Sequence, residues 1–143
     1  MNKVLSLLLI VFALVIAVVP QFTDCQSQGR ALTMQNGSTV PMKCHWTAIA
    51  EIGVAVPLAL VGLFNLRSRR KETSRFLGGM GIASGALAVL FPTYLIGVCG
   101  NAMMICNMIM RPTLVSTGVL AMAASAVILF NALKPDVESQ AAA

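Results

Sequence analysis

The chain has 143 residues, of which 57% are hydrophobic and only 10% are charged. This composition excludes an ordinary soluble globular domain, in which about a quarter of the residues are charged. Ten lysines and arginines against five acidic residues give a formal net charge of +5. The basic residues lack the interleaved aromatic residues typical of nucleic-acid binding, so we expect no nucleic-acid partner.

Four apolar runs approach the roughly 20 residues that a helix needs to cross a bilayer core of about 30 Å. They cover residues 4–19, 46–66, 76–98 and 112–133. They predict an all-α polytopic membrane protein in contact with the lipid bilayer, with a four-helix transmembrane domain over residues 1–134 and a flexible cytoplasmic tail over residues 135–143. The first run also has features of a secretory signal, but no good cleavage site follows it, and we treat it as a retained helix.

The positions of the basic residues predict the topology. Five of them lie between the second and third apolar runs: Arg67, Arg69, Arg70, Lys71 and Arg75. Short loops rich in Lys and Arg stay in the cytoplasm, so both termini are expected inside and two loops outside. In the first outer loop, Asn36-Gly37 predicts a small extracytoplasmic β-hairpin with a type I′ turn.

All four cysteines fall on the outer side in this topology. They are Cys25, Cys44, Cys99 and Cys106. An even number of cysteines in an oxidising compartment predicts structural disulfides. Four cysteines allow three connectivities, and the sequence does not choose among them.

The same outer loops also contain a set of soft ligands. The candidate metal ligands are Cys44, His45, Cys99, Met104, Cys106 and Met108, with Met42 and Met103 nearby. Thiolate and thioether sulfurs suit Cu(I), and imidazole suits copper or zinc. Methionine is also an ordinary apolar filler, so we expect no cofactor and keep copper as the alternative. Thiol redox chemistry is a further alternative, although the chain has no C-x-x-C motif.

Glu51 lies inside the second apolar run. A carboxylate within the membrane normally has a partner or marks a transport path. We predict an intramembrane ion pair with Arg111, with His45 as another candidate partner and a proton or cation relay as the alternative. The chain contains no Walker motif, nucleophile elbow or HExxH motif, so we expect no enzymatic activity.

A stripe of small residues runs along the third helix. Gly78, Gly81 and Gly85 recur at spacings of three and four residues, which places them on one helix face. Such a stripe lets a neighbouring backbone approach closely. We predict helix packing within the chain, with an oligomer interface as the alternative.

Together, the segments MKCHWT (residues 42–47), Glu51, FPTYLIGVC (residues 91–99) and MICNMIMRP (residues 104–112) resemble a family of small bacterial four-helix membrane proteins catalogued as domain of unknown function 4418. The family's pattern is an early Cys, M-x-C-H-W-[ST], a Glu, P-x-x-L-I-G-x-C, and M-x-C ahead of a Pro. The matching residues are Cys25, Met42, Cys44, His45, Trp46, Thr47, Glu51, Pro92, Leu95, Ile96, Gly97, Cys99, Met104, Cys106 and Pro112. The resemblance implies a bacterial inner membrane and an accessory role beside ABC-type exporters, and it brings no assigned activity.

From the sequence we therefore expect a non-catalytic accessory or scaffold subunit that associates with a larger membrane protein or with a second copy of itself. The first alternative is an extracytoplasmic Cu(I)-binding or thiol-redox protein. The second is a small transporter that uses Glu51.

Overall fold

The computed structural model describes residues 2–68 and 70–134; Met1, Arg69 and the predicted tail, residues 135–143, lie outside them. The described residues contain four helices long and apolar enough to cross a membrane. They are α1 (Asn2–Thr23), α2 (Lys43–Arg67), α3 (Lys71–Leu90) and α4 (Arg111–Leu133). The predicted four-helix transmembrane architecture is confirmed.

Two short π-helical turns extend the third and fourth helices toward the loop that joins them. One, Phe91–Leu95, continues α3, and the other, Cys106–Met110, leads directly into α4. A π turn widens the helix by one residue per turn and is frequent at functional sites. With these turns the third span ends at Leu95 and the fourth begins at Cys106, so the loop between them is shorter than the predicted apolar runs indicate.

The predicted hairpin is present in the first loop, although its turn differs from the prediction. Strands β1 (Leu32–Thr33) and β2 (Thr39–Val40) pair antiparallel. Gly37 has φ +79°, but Asn36 does not have a positive φ, so a type I′ turn is excluded. Instead, the Asn36 side chain accepts hydrogen bonds from the backbone and hydroxyl of Ser38, and Gly37 alone takes the left-handed conformation.

The glycine stripe of α3 packs against α4. A Cβ on Gly85 would lie 2.7 Å from Met122 Cγ, and one on Gly78 would lie 3.0 Å from Leu129 Cβ. Between them, Gly81 faces Ser125 with no room for a larger side chain. The stripe is therefore occupied by contacts within the chain.

The end of the bundle near the α2–α3 loop is held by polar contacts among three helices. Asn65 of α2 donates from Nδ2 to Ser6 Oγ of α1 at 2.8 Å and accepts from Ser74 Oγ of α3 at 3.0 Å. Three residues before Asn65, Gly62 packs against Ile10 and the Ser6 carbonyl oxygen. These contacts fix the α1–α2–α3 arrangement at the end where the basic α2–α3 loop lies.

Candidate metal site formed by four cysteines

The four cysteines converge at the opposite end of the bundle. Their Sγ atoms all lie within 4.8 Å of one another. Cys25 Sγ is 3.4 Å from Cys99 Sγ and 3.5 Å from Cys106 Sγ, and Cys99 Sγ is 3.5 Å from Cys44 Sγ. The site thus joins residues up to 81 positions apart in the sequence.

Each cysteine comes from the end of a different helix. Cys25 follows the last turn of α1, and Cys44 is the second residue of α2. Cys99 follows the π turn that ends the third span, and Cys106 begins the π turn that opens the fourth. Because successive helices run in opposite directions, these four ends meet at one end of the bundle.

The predicted disulfides are absent from the structure, so the two cysteine-bearing loops are not held by covalent bridges. All four cysteines are free thiols in the structure. Their closest Sγ–Sγ distance is 3.4 Å, whereas a disulfide requires about 2.05 Å. Pairing by count predicted two local bridges or two crossed ones, but the fold brings all four sulfurs to a common point and pairs none of them.

The sulfurs are shielded from water. Cys44 and Cys106 are fully buried, Cys25 is 2% exposed, and Cys99 is half-buried. Burial raises the pKa of the Cys25 thiol well above its ordinary value, and its contacts with the other three thiols raise it further. In the absence of a metal ion, Cys25 is therefore a neutral thiol, and a bound ion would displace its proton.

Two of the cysteines lie at the starts of helices. Cys44 and Cys106 are each in the first turn of a spanning helix, where backbone N–H groups have no acceptor within the helix. The backbone N–H of Cys25 donates to Cys44 Sγ at 3.3 Å. Hydrogen bonds of this kind around the ligands orient them and adjust their basicity in metal sites.

An aspartate–histidine pair adjoins two of the cysteines. Asp24 Oδ2 lies 2.9 Å from His45 Nδ1, and Asp24 Oδ1 accepts from the backbone N–H of Ser27 at 2.8 Å. Burial would raise the pKa of Asp24, but the hydrogen bonds from His45 and Ser27 outweigh it and leave the pKa below its ordinary value. The pair ties the end of α1 to the start of α2 and so sets the spacing of Cys25 and Cys44.

The structure changes the predicted ligand set. Cys44, Cys99 and Cys106 come together as proposed and are joined by Cys25, which the sequence had placed only among the disulfide candidates. His45 contacts Asp24 through Nδ1 and stands outside the four-sulfur cluster, and Met108 is 62% exposed. Asp24 was missed, although its position next to an outer cysteine was a usable signal.

Two methionines flank the cluster. Met42 Sδ lies 3.8 Å from Cys99 Sγ on one side. Met104 packs against the buried core and lines a cavity that also reaches Cys25. Met104 therefore shares a cavity with Cys25, and Met42 is the methionine whose sulfur lies beside a cysteine sulfur.

The predicted ion pair between Glu51 and Arg111 is not formed. Glu51 is fully buried in α2, and its two carboxylate oxygens accept no hydrogen bond from any described residue. Arg111 is exposed at the first position of α4. It follows directly after the π turn Cys106–Met110, one turn into the fourth span.

The cluster has the dimensions of a tetrahedral metal site. A zinc–sulfur bond of about 2.3 Å gives a spacing of about 3.8 Å between neighbouring sulfurs of a tetrahedron. The three closest spacings here are 3.4 to 3.5 Å, and none exceeds 4.8 Å. Three buried thiols and one half-buried thiol at this spacing can bind one thiophilic ion, with small movements of the sulfurs as they lose their protons and bond to it.

Comparison with known proteins identifies the family. No curated protein and no solved structure matches the chain significantly. The family described as "Domain of unknown function (DUF4418)" matches residues 4–131, which cover nearly all of the four helices and include all four cysteines. The chain therefore belongs to the family of proteins with the domain of unknown function DUF4418.

Proposed function

We propose that this membrane protein binds one thiophilic metal ion, Cu(I) or Zn(II), through Cys25, Cys44, Cys99 and Cys106. The observation that carries the proposal is the convergence of four Sγ atoms within 4.8 Å at one end of the helix bundle. Four-cysteine sites are the commonest closed environment for zinc, and soft thiolates also favour Cu(I). The proposed role is binding rather than catalysis.

Burial supports an ion over thiol exchange. Three of the four thiols have 2% exposure or less, whereas a thiol that exchanges with a partner disulfide has to be accessible as a thiolate. Burial also raises the pKa of Cys25, which lowers its reactivity toward a partner disulfide. A metal ion would offset part of the charge of the thiolates as they form, so an ion suits this site better than a partner disulfide does.

We also propose that the site faces the outside of a bacterial inner membrane. The basic residues Arg67, Arg70, Lys71 and Arg75 lie at the opposite end of the bundle, and such residues favour the cytoplasmic side. The orientation can be tested with reporter fusions placed after Thr33 in the hairpin and after Lys134. Activity of a cytoplasmic reporter at the hairpin would contradict it.

The test of metal binding uses the full chain in mild detergent, kept reduced throughout. Co(II) serves as a spectroscopic probe, because its thiolate complexes have intense near-ultraviolet charge-transfer bands and its visible bands report a tetrahedral site. We expect one ion per chain, competition by Zn(II) and Cu(I), and loss of the bands in each Cys→Ser variant. Met108→Leu is the matched control in the same loop and should bind as the unchanged protein does.

Absence of any bound ion in protein whose four thiols are demonstrably reduced would contradict the proposal. So would binding that survives loss of two cysteines. Metal content measured directly on protein extracted from the membrane, without added metal, then identifies which ion occupies the site in the cell.

The accessory-subunit role predicted from the sequence remains a second proposal about partners. It rests on the resemblance to proteins encoded beside ABC-type exporters, and it is compatible with metal binding. Co-purification of a larger membrane protein from mild detergent would support it. Transport through Glu51 also stays a prediction, tested by Glu51→Gln in protein that still folds.

A further inference from the structure

We propose that the cavity beside Cys25 is the port through which the metal exchanges, that Met104 is the transient ligand within it, and that the port delivers Cu(I) from an anionic thiolate carrier. This inference rests on the proposed metal-binding function. It adds the side from which the metal enters, a transient role for Met104, and the choice of Cu(I) over Zn(II).

The cavity is the physical opening to the sulfurs. It has a volume of about 260 Å³ and is lined by Cys25, Gln28, Arg30, Met103, Met104 and Ile105. A volume of this size accommodates several water molecules or the coordinating end of a small carrier. Cys25, which is only 2% exposed, can thus be reached from the side of this cavity.

Sulfur-containing side chains extend from the lining of this cavity into the cluster. Met104 lines the cavity with Cys25, whose Sγ is 3.5 Å from Cys106 Sγ and 3.4 Å from Cys99 Sγ. On the far side, Cys99 Sγ lies 3.8 Å from Met42 Sδ. An ion moving along this series changes one ligand at a time and is never without sulfur ligands.

Thioethers in this series favour Cu(I). Thioether sulfur is a good ligand for Cu(I), whereas zinc sites in proteins use thiolate, imidazole and carboxylate. Zn(II) would therefore gain nothing at Met104 before reaching the cysteines. Cu(I) would gain a ligand at each step, which lowers the barrier to transfer.

The charge at the mouth of the cavity selects the form in which copper arrives. Arg30 lines the cavity and is exposed, and the described residues that line it include no carboxylate. A free cation is repelled by this charge, while Cu(I) bound by two thiolates is an anion and is attracted to it. The backbone N–H of Arg30 donates to the Cys25 carbonyl oxygen at 2.9 Å, which fixes this turn to the cluster.

The transfer is balanced without an oxidant or reductant. Copper remains Cu(I), each carrier thiolate leaves as a protein sulfur takes its place, and the protons lost by the protein thiols pass to the released carrier thiolates or to water. Met104 contributes a neutral lone pair in the intermediate and gives it up when the last cysteine binds.

The experiment measures transfer rates from the coloured, anionic Cu(I)–bicinchoninate complex to the full chain in detergent. We expect Met104→Leu to slow transfer by about tenfold, the lower range for loss of a supporting group at a metal site, while the affinity at equilibrium changes little. Met108→Leu, four residues further along the chain and outside the cavity lining, should transfer at the unchanged rate. Arg30→Gln should also slow transfer, and added salt should reduce its difference from the unchanged protein.

Equal transfer rates for the unchanged protein, Met104→Leu and Arg30→Gln would overturn the port while leaving metal binding intact. Zn(II) taken up with Cu(I) excluded would overturn the choice of ion alone. A protein that binds neither ion would overturn both this inference and the proposed function. Arg30 is exposed, so its variant keeps the test decisive if Met104→Leu fails to fold.

Discussion

Thr47 Oγ1 donates a hydrogen bond of 2.7 Å to the carbonyl oxygen of Gly97. Thr47 lies three residues after Cys44 in α2, and Gly97 lies two residues before Cys99 in the loop between the third and fourth spans. Gly97 has φ +78°, a conformation that glycine adopts without strain, so the loop can turn directly from the end of the third span toward the cluster. The bond therefore connects the two halves of the four-sulfur site.

Loss of this hydroxyl should weaken metal binding without removing a ligand. Thr47→Val keeps the shape of the side chain but leaves the Gly97 carbonyl without its donor. We expect a roughly tenfold weaker affinity for the ion, the size typical of groups that support metal ligands. Competition titrations with a chromophoric chelator measure the affinity.

Thr47→Ser is the matched control, because serine retains the donor and should bind almost as tightly as threonine. Equal affinities for the valine variant and the unchanged protein would show that the loop holds Cys99 in place without this bond.

Glu51 provides a test of the missing ion pair. Its carboxylate is fully buried and accepts no hydrogen bond from the described residues, so its replacement by leucine should raise the free energy of unfolding by about 1–3 kcal/mol. Arg111→Gln, at an exposed position, should change it by less than about 0.5 kcal/mol. Denaturant titrations in mixed micelles give both values. Losses of about 3–5 kcal/mol in both variants would instead indicate a buried pair.

The α3–α4 contact predicts unequal effects of two neighbouring glycines. A methyl group on Gly81 would collide with Ser125, whereas one on Gly79 meets nothing within 4 Å in the described part of the chain. Gly81→Ala should therefore cost about 1–3 kcal/mol, because the helices have to separate. Gly79→Ala should change stability by less than about 1 kcal/mol. Thermal unfolding in the same detergent compares them, and equal midpoints would contradict the packing.

The hydrogen bonds that Asn65 makes with Ser6 and Ser74 predict energetic coupling between three helices. Asn65→Ala removes the amide shared by Ser6 and Ser74, and we expect it to cost about 1–3 kcal/mol. Ser74→Ala should cost less in the Asn65→Ala background than in the unchanged protein, since the bond is already lost there. A double-mutant cycle from unfolding curves measures the difference, and strict additivity would exclude the interaction.

Much of the fold was predictable because the membrane imposes it. Long apolar runs have to form helices in lipid, where no water can satisfy the backbone, and their alternating direction places the four cysteines at one end. The hairpin followed from Asn36-Gly37. The extension of α1 through Pro20 to Thr23 was not predicted, since the apolar run ends before the helix does.

The site was predictable in residue type but not in arrangement. Cysteine count and compartment indicated disulfides, but neither contains the distances that decide between pairing and convergence. Asp24 and His45 could have been linked from the sequence, because each is next to a cysteine and the cysteines share one end. That Glu51 accepts no hydrogen bond from the described residues was not predictable, since the sequence does not show the rotation of each helix within the bundle.

Each of the four helix ends contributes one cysteine, so the site cannot be complete until the whole bundle has been synthesised. Cys106 is the last of the four to be synthesised and stands at the entrance of the fourth helix, so a shorter nascent chain has at most three of the ligands. A complete four-sulfur shell arises only after the final span has entered the bilayer and packed beside the first. If the chain binds metal as proposed, a bound ion would distinguish bundles with an inserted fourth helix from partly inserted ones.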